Sequence, residues 1–132
     1  MPYQASHRFA RIAPRKARLI MDLVRGRDVD DAIALLKFSK QRASGMIEKV
    51  IRSAVANANE QETAQIRNTL FVAKAWVDPG PVIKRFQPKD RGKAYPINKR
   101  TSHLVVTVDE RGEGETAPLH KTVGGRPGKA RR

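Results

Sequence analysis

The clearest order in this sequence is a stripe of apolar residues, Ala43, Met46, Ile47, Val50, Ile51, Ala54, Val55 and Ala58, spaced by threes and fours. That spacing predicts a helix over about 40–59 with one face against a core and Ser39 as its N-cap. Gly45 costs such a helix about 1 kcal/mol relative to Ala and would admit a closely packed partner helix. A second stripe, Ala17, Ile20, Met21 and Val24, predicts a helix opened by Pro14 and closed by Gly26. Between the two, Ala32, Ile33, Leu35 and Leu36 predict a short third helix capped by Asp28. Asp30 and Asp31 fall in its first turn, where the helix dipole favours carboxylates.

On either side of the helices the period changes to two. Tyr3, Ala5, His7 and Phe9 share one parity, which predicts a strand within 3–12. From Leu70 onward, Leu70, Val72, Lys74 and Trp76 take one face and Phe71, Ala73, Ala75 and Val77 the other. Both faces are largely apolar, so a central strand is expected, with Trp76 in the core. Asp78-Pro79-Gly80-Pro81 interrupts regular pairing, and 103–108 reads as the returning strand. The stretch 78–103 is then an extended hairpin with its tip near 89–94 and Gly92 supplying the turn. About a dozen residues per side would carry that tip roughly 40 Å from its base.

Together these elements predict an α+β fold: three helices packed on a small three-stranded antiparallel sheet, with a long extended β-hairpin. We place one domain at 1–110, arm included, and a flexible basic tail rich in Gly and Pro at 111–132. The chain of 132 residues suits a single core.

Charge changes the picture more than composition does. The formal net charge is +14, with 27 Lys and Arg against 13 Asp and Glu, and the excess is segregated. In 1–27, seven cations face Asp22 alone; in 28–80, seven cations meet seven carboxylates; in 81–108, seven cations face Asp90 alone. A neutral folded body carrying two cationic segments is the footprint of a polyanion binder, with nucleic acid ahead of an anionic membrane surface. The absence of cysteine excludes disulfides, thiol catalysis and thiolate metal sites. No apolar run near the N-terminus is long enough for a signal peptide or a membrane span, so a soluble, cytoplasmic protein without membrane contact is expected.

Catalytic readings fare poorly against this background. Ser102 beside His103 has the residue types for nucleophilic catalysis, but no acidic residue adjoins them and no nucleophile elbow surrounds the serine. His7 and His120 are scattered, which gives no metal site, and 124–129 lacks the spacing of a phosphate loop. No catalytic residue, cofactor, metal or small-molecule substrate is expected. A DNA-compacting protein of the nucleoid remains compatible with composition alone.

Several segments taken in order carry a more specific signal. Ala13-Pro14-Arg15-Lys16-Ala17-Arg18-Leu19 with Asp22-Leu23-Val24-Arg25-Gly26, then Ser53-Ala54-Val55-Ala56-Asn57-Ala58, then Val77-Asp78-Pro79-Gly80-Pro81, Lys84-Arg85 and Lys99-Arg100-Thr101-Ser102-His103 resemble the bacterial large-subunit ribosomal protein family numbered twenty-two. The resemblance spans about 3–108. It implies a structural protein of the large ribosomal subunit, cytoplasmic, that touches several domains of the large ribosomal RNA and neighbouring ribosomal proteins and assists early assembly. It also implies that the arm threads inward, lines the exit tunnel and meets the nascent peptide. The sequence departs from the family at Ala13, where a serine cap is common and its loss costs about 1 kcal/mol. Asp90 is a further departure, setting an acid near a tip that is usually basic or neutral.

Charge and resemblance together nominate Arg8, Arg11, Arg15, Lys16, Arg18, Arg25, Lys84, Arg85, Lys89, Arg91, Lys93, Lys99, Arg100, Thr101, Ser102 and His103 as RNA-binding residues. The resemblance puts Ile83, Lys84, Arg85, Pro88, Lys89, Asp90, Arg91, Gly92 and Lys93 on the tunnel wall. Phe86 and Tyr95, lying among cations, are candidates for stacking on bases.

Overall fold

The computed structural model describes residues 2–61 and 70–111. Strand β1 (Tyr3–Ala10) is followed by helices α1 (Pro14–Val24), α2 (Val29–Phe38) and α3 (Arg42–Gln61). Strand β2 (Leu70–Pro79) leads into the arm strands β3 (Ile83–Pro88) and β4 (Ala94–Lys99), and β5 (Ser102–Glu110) returns to the body. The body sheet is antiparallel with the order β1-β5-β2, and β3 and β4 form a separate two-stranded sheet. Of the tail expected at 111–132, only Arg111 lies within the described residues.

One face of the body sheet is covered by helices, and its rows follow from the register. Tyr3, Val108 and Val72 align across the three strands, as do Ala5, Val106 and Ala75. Against these rows pack Ile20, Met21 and Val24 from α1 and Ile47 and Ile51 from α3, all buried. Each of these side chains stabilises the fold by about 1.5–3 kcal/mol relative to exposure. Gly26 ends α1 as expected, in the left-handed region at φ 79°.

Several expectations need correction. The strand at 70–79 is an edge strand, and β5 takes the centre. Trp76 is not in the core: its 37% exposure follows from a bulge at Ala73, where Val72 pairs with Val108 but Lys74 with Thr107. The extra residue reverses parity, so Ala75 and Val77 turn inward, Trp76 turns outward and its Nε1–H donates to Asp78 Oδ2 at 3.1 Å. A similar irregularity between His7 and Ala10 moves Phe9 out and Ala10 in.

The caps differ too. Ser39 closes α2 rather than opening α3, which begins at Arg42. Asp28 precedes α2 without a side-chain capping bond; its Oδ1 instead pairs with Arg111 Nη1 at 2.8 Å. Ala13 leaves α1 uncapped, as its side chain requires. No closely packed neighbour explains Gly45, since a Cβ there would meet nothing within 4 Å.

Candidate nucleic-acid interface

The cationic residues separate into three groups by what holds them. The first is structural. Because β2 is an edge strand, its outward carbonyls need donors, and α1 provides them. Arg18 donates from Nε and Nη2 to Val77 O at 3.3 and 3.1 Å. Arg25 donates from Nε to Ala75 O at 3.1 Å, also reaches it with Nη2, and pairs through Nη1 with Asp22 at 2.9 Å. One residue pair further along the edge, Gly26 N–H donates to Val72 O and Val72 N–H to Arg27 O. Arg18 and Arg25 thus seal the edge, and only their remaining N–H groups are open to a ligand.

The second group forms a cleft at the base of the arm. Arg11, Ile12, Ala13, Lys16, Arg42, Asn98, Lys99 and Arg100 line about 640 Å³ of space. Among the described residues, five cations and no carboxylate border it. The N-terminus of α1 opens beside it: with alanine as the cap, Lys16, which lines the cleft, keeps a backbone N–H that has no intrahelical acceptor. That N–H, the positive end of the dipole and five side-chain cations converge from three parts of the chain, an arrangement suited to phosphate oxygens. Arg42 was not nominated by the sequence, because it lies in the electrically balanced stretch; its position at the first residue of α3 is the only signal that could have singled it out. Arg15 is exposed on α1 but does not line the cleft.

The third group is the arm. Ile83 pairs with Lys99, Arg85 with Ile97 and Gln87 with Tyr95 on one face. Lys84 with Asn98, Phe86 with Pro96 and Pro88 with Ala94 form the other. All are exposed except Ile83 and Ile97, which are half-buried. The tip is closed by Lys89 N–H donating to Lys93 O at 2.8 Å, with Arg91 at φ 58° and Gly92 at φ 73°. Lys89, Asp90, Arg91, Lys93 and Tyr95 surround an open hollow there, with Lys89 Nζ 4.9 Å from the Tyr95 ring centre. Both strands of this ribbon are edges, and along them Lys84, Arg85, Pro88, Pro96 and Lys99 are interspersed with Ile83, Phe86, Tyr95 and Ile97; the charges and prolines guard against strand-to-strand aggregation.

Thr101 and Ser102 are placed away from any surface. Both are buried, and Thr101 Oγ1 donates to Pro81 O at 2.6 Å, fastening the arm's base. Ser102 shares the helix-covered face with Leu104, whereas His103, the next residue in an extended strand, projects to the opposite face. Serine and imidazole therefore cannot act as nucleophile and base for one another. His103 Nδ1 instead accepts the Phe9 N–H at 3.0 Å.

Among the described residues, no group of three or more His, Cys, Asp or Glu could hold a metal, and no helix is long and apolar enough to cross a membrane.

Comparison with known proteins agrees with this layout. A family model described as "Ribosomal protein L22p/L17e" matches residues 5–109. The large ribosomal subunit protein uL22 of Lacticaseibacillus casei (strain BL23) is 51% identical over 107 residues, covering 81% of this chain and 91% of the relative. Its counterpart from Lactobacillus helveticus (strain DPC 4571) is 50% identical over 110 residues, covering 83% and 93%. The matched region takes in the body, the basic cleft and the whole arm. The chain belongs to the L22p/L17e family of ribosomal proteins, and is a structural component of the large ribosomal subunit rather than an enzyme.

Proposed function

We propose that this chain binds and organises large-subunit ribosomal RNA in the cytoplasmic ribosome, with the basic cleft seating phosphates and the arm lining the nascent-peptide exit tunnel. The observation that carries this reading is the meeting of Arg11, Lys16, Arg42, Lys99 and Arg100 around one cleft without a carboxylate among the described residues. In isolation such a cluster repels itself, so its stable form is one with polyanion bound. The mechanism is phosphate neutralisation and recognition of RNA shape: the cleft fixes the body on one RNA segment, and the arm reaches others. A rigid link between distant segments assists early assembly. The arm residues Lys84, Arg85, Lys89, Arg91 and Lys93 contact RNA, while Ile83, Pro88, Asp90 and Gly92 share the tunnel wall with them and face the nascent peptide. Arg8 and Arg15 extend the surface on the body, neighbouring large-subunit proteins meet the remainder, and Thr101 and Ser102 act by holding the arm.

The test is binding of the free protein to full-length large-subunit ribosomal RNA across a salt series. Affinity should fall by about 10³ to 10⁵ between 50 and 200 mM salt, and Arg11→Ala, Lys16→Ala and Arg100→Ala should each reduce the salt slope by about 1. Arg25→Ala should behave differently, lowering the stability of the free protein by about 1–3 kcal/mol because Ala75 O loses its donors. Unchanged slopes for all three cleft variants would remove the cleft from the interface.

A further inference from the structure

Phe9 stands out from every other aromatic residue of the body. It and Arg91 are the two non-glycine residues with positive φ among those described, Phe9 at 57°. Side-chain-bearing residues rarely adopt that conformation, and bulky ones least of all. The parity of Tyr3 and Ala5 would carry Phe9 inward. Instead the bulge places Ala10 in the core and leaves the phenyl ring 56% exposed. The chain therefore accepts backbone strain and forgoes burial of a large apolar side chain in order to present a ring to solvent, a combination that accompanies functional sites.

The ring is presented in a fixed orientation. The N–H freed by the bulge donates to His103 Nδ1 at 3.0 Å, and the two rings meet edge to face, with centres 4.9 Å apart and planes at 86°. With Nδ1 as the acceptor, the neutral imidazole carries its proton on Nε2, a donor without a partner among the described residues. The Arg8 guanidinium lies 5.4 Å from the Phe9 ring centre and has no carboxylate partner among the described residues. Two residues further along is Arg11, and three residues before His103 is Arg100, both on the wall of the basic cleft. A protein partner would call for an apolar patch around the ring, but the exposed residues of the same strand are Gln4, Ser6, His7 and Arg8. A flat, polar-edged ligand attached to phosphate fits better.

We infer that Phe9, braced by His103, is a stacking site for an unpaired RNA nucleobase whose flanking phosphates enter the Arg11 and Arg100 cleft. This rests on the RNA-binding reading above. The phenyl ring supplies one stacking plane, Arg8 a second, and His103 Nε2–H a donor for an acceptor on the base edge or the adjoining sugar.

Two measurements test it. Large subunits containing this protein are irradiated at 254 nm, and peptides are searched by mass spectrometry; a ribonucleotide adduct on Phe9 is expected. Binding of full-length large-subunit ribosomal RNA is then compared for Phe9→Gly, Phe9→Leu and Phe9→Tyr. Glycine suits the positive φ, so Phe9→Gly should leave the thermal midpoint of the free protein unchanged or raised while weakening binding about tenfold. Phe9→Leu should weaken binding similarly, and Phe9→Tyr should stay within twofold of the parent. Binding by Phe9→Gly and Phe9→Leu within twofold of the parent, alongside RNA adducts on the arm but none on Phe9, would overturn the inference and leave the RNA reading intact. A Phe9 adduct to a neighbouring protein would overturn it in favour of a protein contact. Failure of the parent protein to bind the RNA would overturn both.

Discussion

Gly80 and Thr101 close the base of the arm against each other. Gly80 N–H donates to Thr101 O at 2.9 Å, while Thr101 Oγ1 is held by Pro81 O. A Cβ on Gly80 would lie 2.6 Å from that hydroxyl and 3.3 Å from the Thr101 carbonyl carbon. The hydroxyl cannot turn away without leaving Pro81 O unpaired. Gly80→Ala should therefore destabilise the protein by about 1–3 kcal/mol, as overpacking does. Thr101→Ala should cost about 1 kcal/mol through the lost hydrogen bond. Combined, they should cost clearly less than their sum, because the second change removes the atom that the first one strikes. Urea denaturation of the four proteins measures this; strict additivity would show that the clash is relieved elsewhere. The same scale separates arginines that look alike in the sequence: Arg18 and Arg25 are engaged with backbone carbonyls, whereas Arg11 borders open space.

At the level of elements, the arm is separable from the body in both sequence and structure. Every fully buried apolar side chain lies outside 82–98. Removing those residues leaves Gly80, Pro81, Lys99, Arg100 and Thr101 between Pro79 and Ser102, which remain paired. Five residues are within the ordinary length of a hairpin connection. The shortened protein should keep its helical circular dichroism and melt cooperatively; loss of the helical signal would mean that the arm is needed to fold the body. The stripes on α1 and α3 announced these helices because a period of 3.6 survives any tertiary context that buries one face. The strands were harder to read. Alternation predicted that β1 and β2 exist but not which way their side chains point, since one extra residue, at Ala73 and again before Ala10, reverses every position beyond it. Nothing local distinguishes Ala73 from its neighbours. The edge position of β2 was hidden for a related reason: its second apolar face is composed of Phe71 and Ala73, both half-buried, with Ala75 and Val77, which the bulge returns to the core. The cleft was legible in part, through Arg11, Lys16, Lys99 and Arg100. Arg42 enters it through the packing of α3, which a linear charge count cannot register.

At the level of the whole molecule, folding draws cations from three regions of the sequence into one cleft that no carboxylate lines among the described residues. The free protein should thus carry electrostatic strain that salt relieves. Opposing this are ion pairs that salt weakens, among the described residues Arg25–Asp22, Arg52–Glu48 and Arg111–Asp28. Arg25–Asp22 is exposed on both sides and Arg52–Glu48 on its arginine side, and such pairs are worth only about 0.2–1 kcal/mol each. The screening length falls from roughly 10 Å at 0.1 M salt to roughly 3 Å at 1 M, short enough to quench repulsion across an open cleft. Repulsion should dominate, so the thermal midpoint of the RNA-free protein should rise with sodium chloride while its affinity for RNA falls. Relief of about 1 kcal/mol corresponds to a rise of roughly 4 °C for a domain of this size. Arg42→Gln should reproduce part of that gain at low salt and add little at high salt, because both remove the same repulsion. A midpoint that declines with salt, with Arg42→Gln no more stable than the parent, would mean that the ion pairs outweigh the cleft and that the body is not held under strain awaiting its polyanion.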